Sequence, residues 1–130
     1  EHYFTDTPWE KVLQGFISVY GERRDAMLAA LEEYFPEEAT WTHPEGGFFV
    51  WVTLPEYVDT GSMLAEALEA GVTYVPGDSF YPNGSAGKNS MRINFSYESP
   101  QNITEAIRRL AEVIEARLEL YRVFIEAGAL

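Results

Sequence analysis

The sequence predicts a small α+β domain of two layers, in which a sheet of three or four strands carries helices on one face. The 130 residues are 46% hydrophobic and 15% aromatic, which suits a single globular core. Apolar residues recur at helical spacing at both ends of the chain, whereas the middle holds short apolar runs separated by turns. The predicted element order is ααββαββα, within a single domain over 1–130.

The first helical region begins with a recognisable start signal. Thr7 is expected as the N-cap, Pro8 as the first helical residue, and Glu10 as the residue that closes a capping box. Gly21 interrupts the apolar pattern and predicts a break into two helices, and Pro36 ends the second one.

The middle of the chain predicts strands and one helix. A short strand over 41–43, a turn over 44–47 and a continuous apolar strand from Phe48 to Leu54 favour a hairpin whose second strand is buried on both faces. A helix over 62–69 and a strand over 72–75 follow. The glycine- and serine-rich segment 76–90 is then expected to form a long functional or mobile loop.

The last two elements are a strand and a long helix. Residues 91–96 alternate, which places Met91, Ile93 and Phe95 on one side of the strand and Arg92, Asn94 and Ser96 on the other. Ser99-Pro100 then predicts the start of a helix. Its apolar stripe consists of Ile103, Ile107, Leu110, Ile114, Leu118, Tyr121 and Ile125.

Composition excludes several classes of function. The net charge is −12, from 21 acidic and 9 basic residues, so nucleic acid and anionic membranes are poor partners. Without cysteine the chain has no disulfide, thiol nucleophile or thiolate metal site. It shows neither a signal peptide nor an apolar run of membrane-spanning length. Because it begins with Glu1, we expect a fragment of a larger protein. We expect that protein to be cytoplasmic.

Three short motifs lack the residues that their chemistry needs. Gly77-Asp78-Ser79 resembles an esterase nucleophile block, but the only histidines, His2 and His43, lie upstream and no acid–histidine block follows. The segment 84–89 resembles half of a phosphate loop, with no following helix. His43 and Glu45 flank a proline and make a poor metal site. We therefore predict no metal site.

Arg92 is the most informative single residue, because a guanidinium in an apolar strand of an acidic chain needs a partner. Its rigid fork fits a carboxylate in a bidentate manner, so a small anionic ligand is one candidate. A local salt bridge to one of the 21 acidic residues is the other. The alternation alone favours the salt bridge, since long charged side chains usually cover a solvated face.

Three motifs in register resemble one known family. They are Pro44-Glu45-Gly46-Gly47-Phe48-Phe49-Val50-Trp51, Val75-Pro76-Gly77-Asp78-Ser79-Phe80 and Met91-Arg92-Ile93-Asn94-Phe95-Ser96. Together they resemble the C-terminal small domain of fold-type I, pyridoxal-phosphate-dependent aminotransferases, in the 2-aminoadipate and aromatic group that includes the MocR-type regulators. The segment from Tyr20 to Met27 resembles the helix leading into that domain. The resemblance covers about 9–117 and leaves 118–130 as a helical tail.

The resemblance implies roles for particular residues. Arg92 matches the arginine that binds the substrate α-carboxylate, and Asn94 lies on the same strand face and would orient it. Gly47 and Phe48 match the turn and strand start beside the substrate side chain. Pro76, Gly77 and Phe80 match the rim of the active-site entrance. A plain hairpin turn, a surface loop and ordinary core packing are the structural alternatives for these residues.

The resemblance also implies what lies elsewhere. The family places its Schiff-base lysine and its other pyridoxal phosphate ligands in a large domain, and Lys11 and Lys88 match neither the position nor the context of that lysine. We therefore expect no catalytic or cofactor-binding residue in this chain, which alone would be inactive. The implied partners are the large domain, an amino-acid or 2-oxo-acid substrate and a second copy in a homodimeric parent.

These considerations predict one function and leave two alternatives open. The parent would transfer an amino group between an amino acid and a 2-oxo acid through pyridoxal phosphate, and this domain would supply the carboxylate clamp. In a MocR-type transcription regulator, the same domain would sense a ligand without turnover. The third reading is a stand-alone module that binds a small carboxylate.

Overall fold

The computed structural model describes residues 8–44, 47–95 and 98–128. The described residues form three α-helices and four short strands. They are α1 (Pro8–Tyr34), β1 (Thr40–Trp41), β2 (Phe49–Thr53), α2 (Thr60–Glu69), β3 (Val75–Pro76), β4 (Ser90–Asn94) and α3 (Pro100–Glu126). The domain is therefore α+β, as the sequence predicts, in the order αββαββα.

Helix α1 is continuous, so the predicted break at Gly21 is wrong. A glycine inside a helix costs only about 1 kcal/mol relative to alanine, and packing of the following turns can offset that cost. Those turns bury Met27, Ala30 and Leu31 in the core. The helix ends at Tyr34, before Pro36, as predicted. The proposed cap Thr7 lies outside the described residues.

The four strands form one antiparallel sheet in the order β1-β2-β4-β3. The first strand covers Thr40–Trp41 and not 41–43, although the amide of Thr42 still donates to the carbonyl of Trp51 at 3.0 Å. The third strand is Val75–Pro76 and not 72–75. Val72 instead donates its amide to Ala67 at the end of α2, which holds it outside the ladder.

The helices cover one face of the sheet, so the prediction that β2 is buried on both faces is wrong. Val50 and Val52 are fully buried, whereas Phe49 and Trp51 between them remain partly accessible. Side chains alternate between the two faces of a strand. The apolar run in β2 therefore reflects an apolar second face that the helices do not cover.

Helix α3 begins as the sequence predicts. The hydroxyl of Ser99 accepts from the amide of Asn102 at 3.2 Å, and Pro100 occupies the first turn. The apolar stripe is buried from Ile103 to Leu118, but Ile125 at its end is 47% exposed. The last turns of α3 therefore extend beyond the core. Within the described ranges, no helix is long and apolar enough to cross a membrane.

The segment 76–90 contains two short 3-10 turns and is hydrogen-bonded to the start of α2. The Thr60 hydroxyl, fully buried, donates to the carbonyl of Ser90 at 2.7 Å, and the Thr60 amide donates to the carbonyl of Lys88 at 2.8 Å. These bonds hold the end of the loop where β4 begins, and so fix the position of the strand that carries Arg92.

Candidate functional site

Arg92 lies at the centre of the sheet face that the helices do not cover. It is paired in register with Trp51 on one side and with Val75 on the other. Its chain neighbours Met91 and Ile93 are buried beneath the helices. Since successive side chains alternate, Arg92 projects from the opposite face, as the sequence pattern predicts.

Aromatic rings surround the guanidinium of Arg92. Its Cζ lies 3.9 Å from the ring centroid of Phe49 and 4.6 Å from that of Phe80. The Trp51 ring packs against Phe80 with centroids 5.5 Å apart and an interplanar angle of 65°. We call these four residues, Phe49, Trp51, Phe80 and Arg92, the Arg92 cluster.

Arg92 differs from the other arginines in its polar contacts. Carboxylates pair with the side chains of Arg24, Arg108, Arg109, Arg117 and Arg122. Arg23 donates to the carbonyl of Glu98 at 2.7 Å. Within the described ranges Arg92 has neither a hydrogen bond nor an ion pair, and its Nε is buried without a partner. The local salt bridge considered as an alternative is therefore absent from the described part of the chain.

A cavity of about 570 Å³ opens beside Arg92 and is bounded by β4, the segment 71–75 and the first turns of α3. Phe49, Arg92 and Asn94 line it from the sheet, and Glu98 and Asn102 line it from the helix side. Asn94 is exposed and pairs in register with Phe49. The structure thus brings the two predicted polar residues of β4 to one opening.

The other predicted substrate residues, Gly47 and Phe48, lie where β2 begins. The hydroxyl of Tyr20 in α1 donates to the Gly47 carbonyl at 2.9 Å, and the Tyr20 ring meets the Phe48 ring edge to face at 5.3 Å. Phe48 packs against the core, whereas Phe49 is the ring that reaches Arg92. The sequence did not indicate Phe49, because the continuous apolar run of β2 gives no sign of which side chains face away from the helices.

The three residues expected at the rim separate into two groups. Phe80 joins the Arg92 cluster. Pro76 pairs with Met91 in the sheet, and Gly77 is buried. A Cβ on Gly77 would lie 2.5 Å from the carbonyl oxygen of Gly87 and would also collide with the hydroxyl of Ser90. Gly77 therefore positions the loop through backbone contact.

The chain contains two lysines, Lys11 and Lys88. Lys11 is exposed on α1, and Lys88 is exposed on the loop before β4. Neither belongs to a strand or to the Arg92 cluster. No residue of the Arg92 cluster is a lysine, the residue type that forms the Schiff base with pyridoxal phosphate.

Comparison with known proteins identifies the class. The family model for aminotransferase class I and II matches residues 16–110. The chain belongs to that family, which confirms the resemblance to fold-type I, pyridoxal-phosphate-dependent aminotransferases.

Two curated aminotransferases are among the relatives that the chain matches. The chain is 49% identical over 110 residues to aromatic-amino-acid aminotransferase 1 of Thermococcus litoralis, covering 85% of this chain and 26% of that protein. It is 38% identical over 102 residues to the 2-aminoadipate transaminase of Thermus thermophilus, covering 78% and 25%. The chain thus spans about a quarter of the curated relatives that it matches.

Solved structures show the same fold. The multiple substrate aminotransferase of Thermococcus profundus is 49% identical with a TM-score of 0.80, covering 85% of this chain and 27% of that one. The α-aminoadipate aminotransferase of Thermus thermophilus is 34% identical with a TM-score of 0.82, covering 92% and 30%. The latter was crystallised with N-(5'-phosphopyridoxyl)-L-leucine.

Proposed function

We propose that this chain is the small domain of a pyridoxal-phosphate-dependent aminotransferase, in which Arg92 binds the α-carboxylate of the substrate. Family membership and the aminotransferase relatives support the reaction class. The observation that carries the assignment of Arg92 is its lack of any polar partner in the described chain, with Nε buried. The two terminal nitrogens of Arg92 also lack a partner in the described chain, and a ligand that brings a carboxylate would supply one.

The geometry suits a planar anion. A guanidinium binds a carboxylate through two parallel, charge-assisted hydrogen bonds, which fix orientation as well as position. Phe49 and Phe80 are 38% and 43% exposed, so they can contact a ligand and exclude water from the ion pair. Exclusion of water strengthens the attraction between the charges. Arg92 would thereby hold the α-carbon in place for proton transfer by groups outside this chain.

The cofactor would be held outside this chain, because neither Lys11 nor Lys88 lies in the Arg92 cluster. Bound pyridoxal phosphate supplies the electron sink for chemistry at the α-carbon. The contribution of this domain is limited to binding, orientation and exclusion of water. Gly47, Phe48, Pro76 and Gly77 would shape the surroundings of the substrate, and Asn94 would orient Arg92 from the same strand face.

The experiment compares the full-length protein with the isolated chain. With pyridoxal phosphate, L-phenylalanine and 2-oxoglutarate, we expect the full-length protein to form phenylpyruvate and glutamate. The isolated chain should form neither, and borohydride should fix no stoichiometric cofactor adduct on Lys11 or Lys88. Ligand binding without turnover by the full-length protein, across a panel of amino acids, would favour a sensory role. A site-specific adduct on Lys88 of the isolated chain would overturn the placement of the cofactor.

A further inference from the structure

The two rings that contact Arg92 attract its charge without occupying its hydrogen-bond donors. Cζ lies 3.9 Å from the Phe49 centroid and 4.6 Å from the Phe80 centroid. An aromatic face attracts a cation through its quadrupole. A resident carboxylate at the same place would instead take up the N–H groups and would compete with an incoming anion. The rings can therefore hold the guanidinium while its charge stays available.

The binding edge of the guanidinium stays open. Its N–H bonds lie in the plane of the group. A ring that contacts the face of the group therefore leaves these donors available. In the described chain only Nε of Arg92 is both buried and without a partner. The two terminal nitrogens, which also have no partner among the described residues, are not sealed from solvent. Arg92 and Phe49 both line the neighbouring cavity.

We infer that Phe49 and Phe80 are positioning residues that hold Arg92 in its carboxylate-binding geometry before the ligand arrives; this inference rests on the proposed function of Arg92. A flexible arginine loses side-chain entropy on binding, and fixing it in advance lowers that cost. Trp51 supports the arrangement by packing against Phe80. Phe49 projects from β2 and Phe80 from a 3-10 turn. The position of the Phe80 ring against Arg92 therefore depends on the hydrogen bonds that fix the loop 76–90.

The test measures carboxylate preference in the full-length protein by calorimetry. The probes are 3-phenylpropanoate and its neutral amide, 3-phenylpropanamide. Phe80→Leu keeps apolar bulk but removes the aromatic face, and we expect it to weaken binding of the acid about tenfold, with the amide nearly unchanged. Phe49→Leu should act alike. Phe80→Tyr keeps the face and should retain the preference to within about twofold. Phe124→Leu, in a ring exposed on the last turns of α3, is the matched control.

The outcomes separate the inference from the proposed function. In an Arg92→Ala background, Phe80→Leu should no longer change the preference for the acid, because the ring acts through the guanidinium. If Arg92→Ala leaves the preference for the acid intact, the proposed function fails. If Arg92→Ala abolishes it while both leucine variants keep it, only the positioning role is overturned. Equal losses for the acid and the amide would also overturn that role, since the rings would then only contact the phenyl group.

Discussion

Gly77 and Gly87 pack backbone against backbone at the base of the loop 76–90. A Cβ on Gly77 would lie 2.5 Å from the Gly87 carbonyl oxygen, and one on Gly87 would lie 2.7 Å from the Gly77 carbonyl oxygen. Gly87 also has a φ of +82°, which favours glycine. This contact brings the end of the loop back against its beginning, close to the start of β4.

Gly77→Ala should destabilise the domain by about 1–3 kcal/mol, because the added methyl group overlaps fixed backbone atoms. Urea unfolding followed by circular dichroism measures the loss. Gly47→Ala is the matched control, since a Cβ at Gly47 meets nothing within 4 Å and its stability should be unchanged. An equal effect of the two substitutions would show that the close approach at Gly77 does not determine stability.

Thr60→Val should also destabilise the domain, by about 1–3 kcal/mol, because it leaves the buried Ser90 carbonyl without its donor. Valine has nearly the same shape as threonine, so the effect isolates the hydroxyl. Thr104→Val is the control. The hydroxyl of Thr104 donates only to the carbonyl of Pro100 in its own helix, and its loss should change the unfolding free energy far less. If Thr60→Val leaves the unfolding free energy unchanged, the hydrogen bond from Thr60 to Ser90 does not stabilise the contact between α2 and β4.

Glu105 should contribute an acid-sensitive part of stability. Hydrogen bonds from Arg108 and Arg109 lower the pKa of Glu105 from 4.5 to about 2. A carboxylate whose pKa falls on folding stabilises the folded state above its unfolded pKa. The contribution is then lost as the pH falls from about 4.5 to about 2.

Glu105→Gln should therefore lower stability slightly at neutral pH and flatten the decline between pH 4.5 and pH 2. The effect is small because this pair is solvent-exposed. Urea titrations across that range measure it, with Glu115→Gln as the control because Glu115 forms no ion pair in the described part of the chain. If the free energy of unfolding declines equally with falling pH in the wild type and in Glu105→Gln, Glu105 is not the source of the acid-sensitive stability.

The first half of α1 carries an apolar surface that its own domain does not cover. Trp9, Phe16 and Ile17 are 69%, 64% and 60% exposed. An uncovered apolar patch of this kind favours association. We expect the isolated chain to self-associate at high concentration in light scattering, and Phe16→Ser with Ile17→Ser to shift it toward the monomer. A strictly monomeric wild-type chain that binds no apolar dye would contradict this expectation.

Local patterns predicted much of this fold. The alternation around Arg92 gave the correct face of β4 because one side of that strand is buried. Ser99-Pro100 predicted the start of α3 correctly because a helix start depends on residues close in sequence. The apolar stripe at helical spacing predicted which face of α3 is buried. The residues 72–74 were predicted as strand because their composition suits one. The bond from Val72 to α2, which a local pattern does not contain, excludes them from the ladder.

The candidate site was less accessible to sequence reasoning. Arg92 and Asn94 were predicted as substrate-binding residues from their strand face together with the family resemblance. Phe49 was not, because a continuous apolar run gives no sign of which residue faces the uncovered side. The contact of Phe80 with Arg92 depends on the path of the loop 76–90, which the Gly77–Gly87 contact determines in three dimensions.

The most direct test of the account is the specificity constant of the full-length protein with Arg92 replaced. We expect Arg92→Ala to lower kcat/KM for L-phenylalanine by roughly a hundredfold, because a charged hydrogen-bonded pair is lost. Arg92→Lys should lower it by about tenfold, since lysine supplies the charge without the fork. Arg122→Ala, which removes an arginine from the exposed last turns of α3, should leave it unchanged. If Arg92→Ala folds normally and keeps the wild-type kcat/KM, Arg92 does not bind the substrate carboxylate.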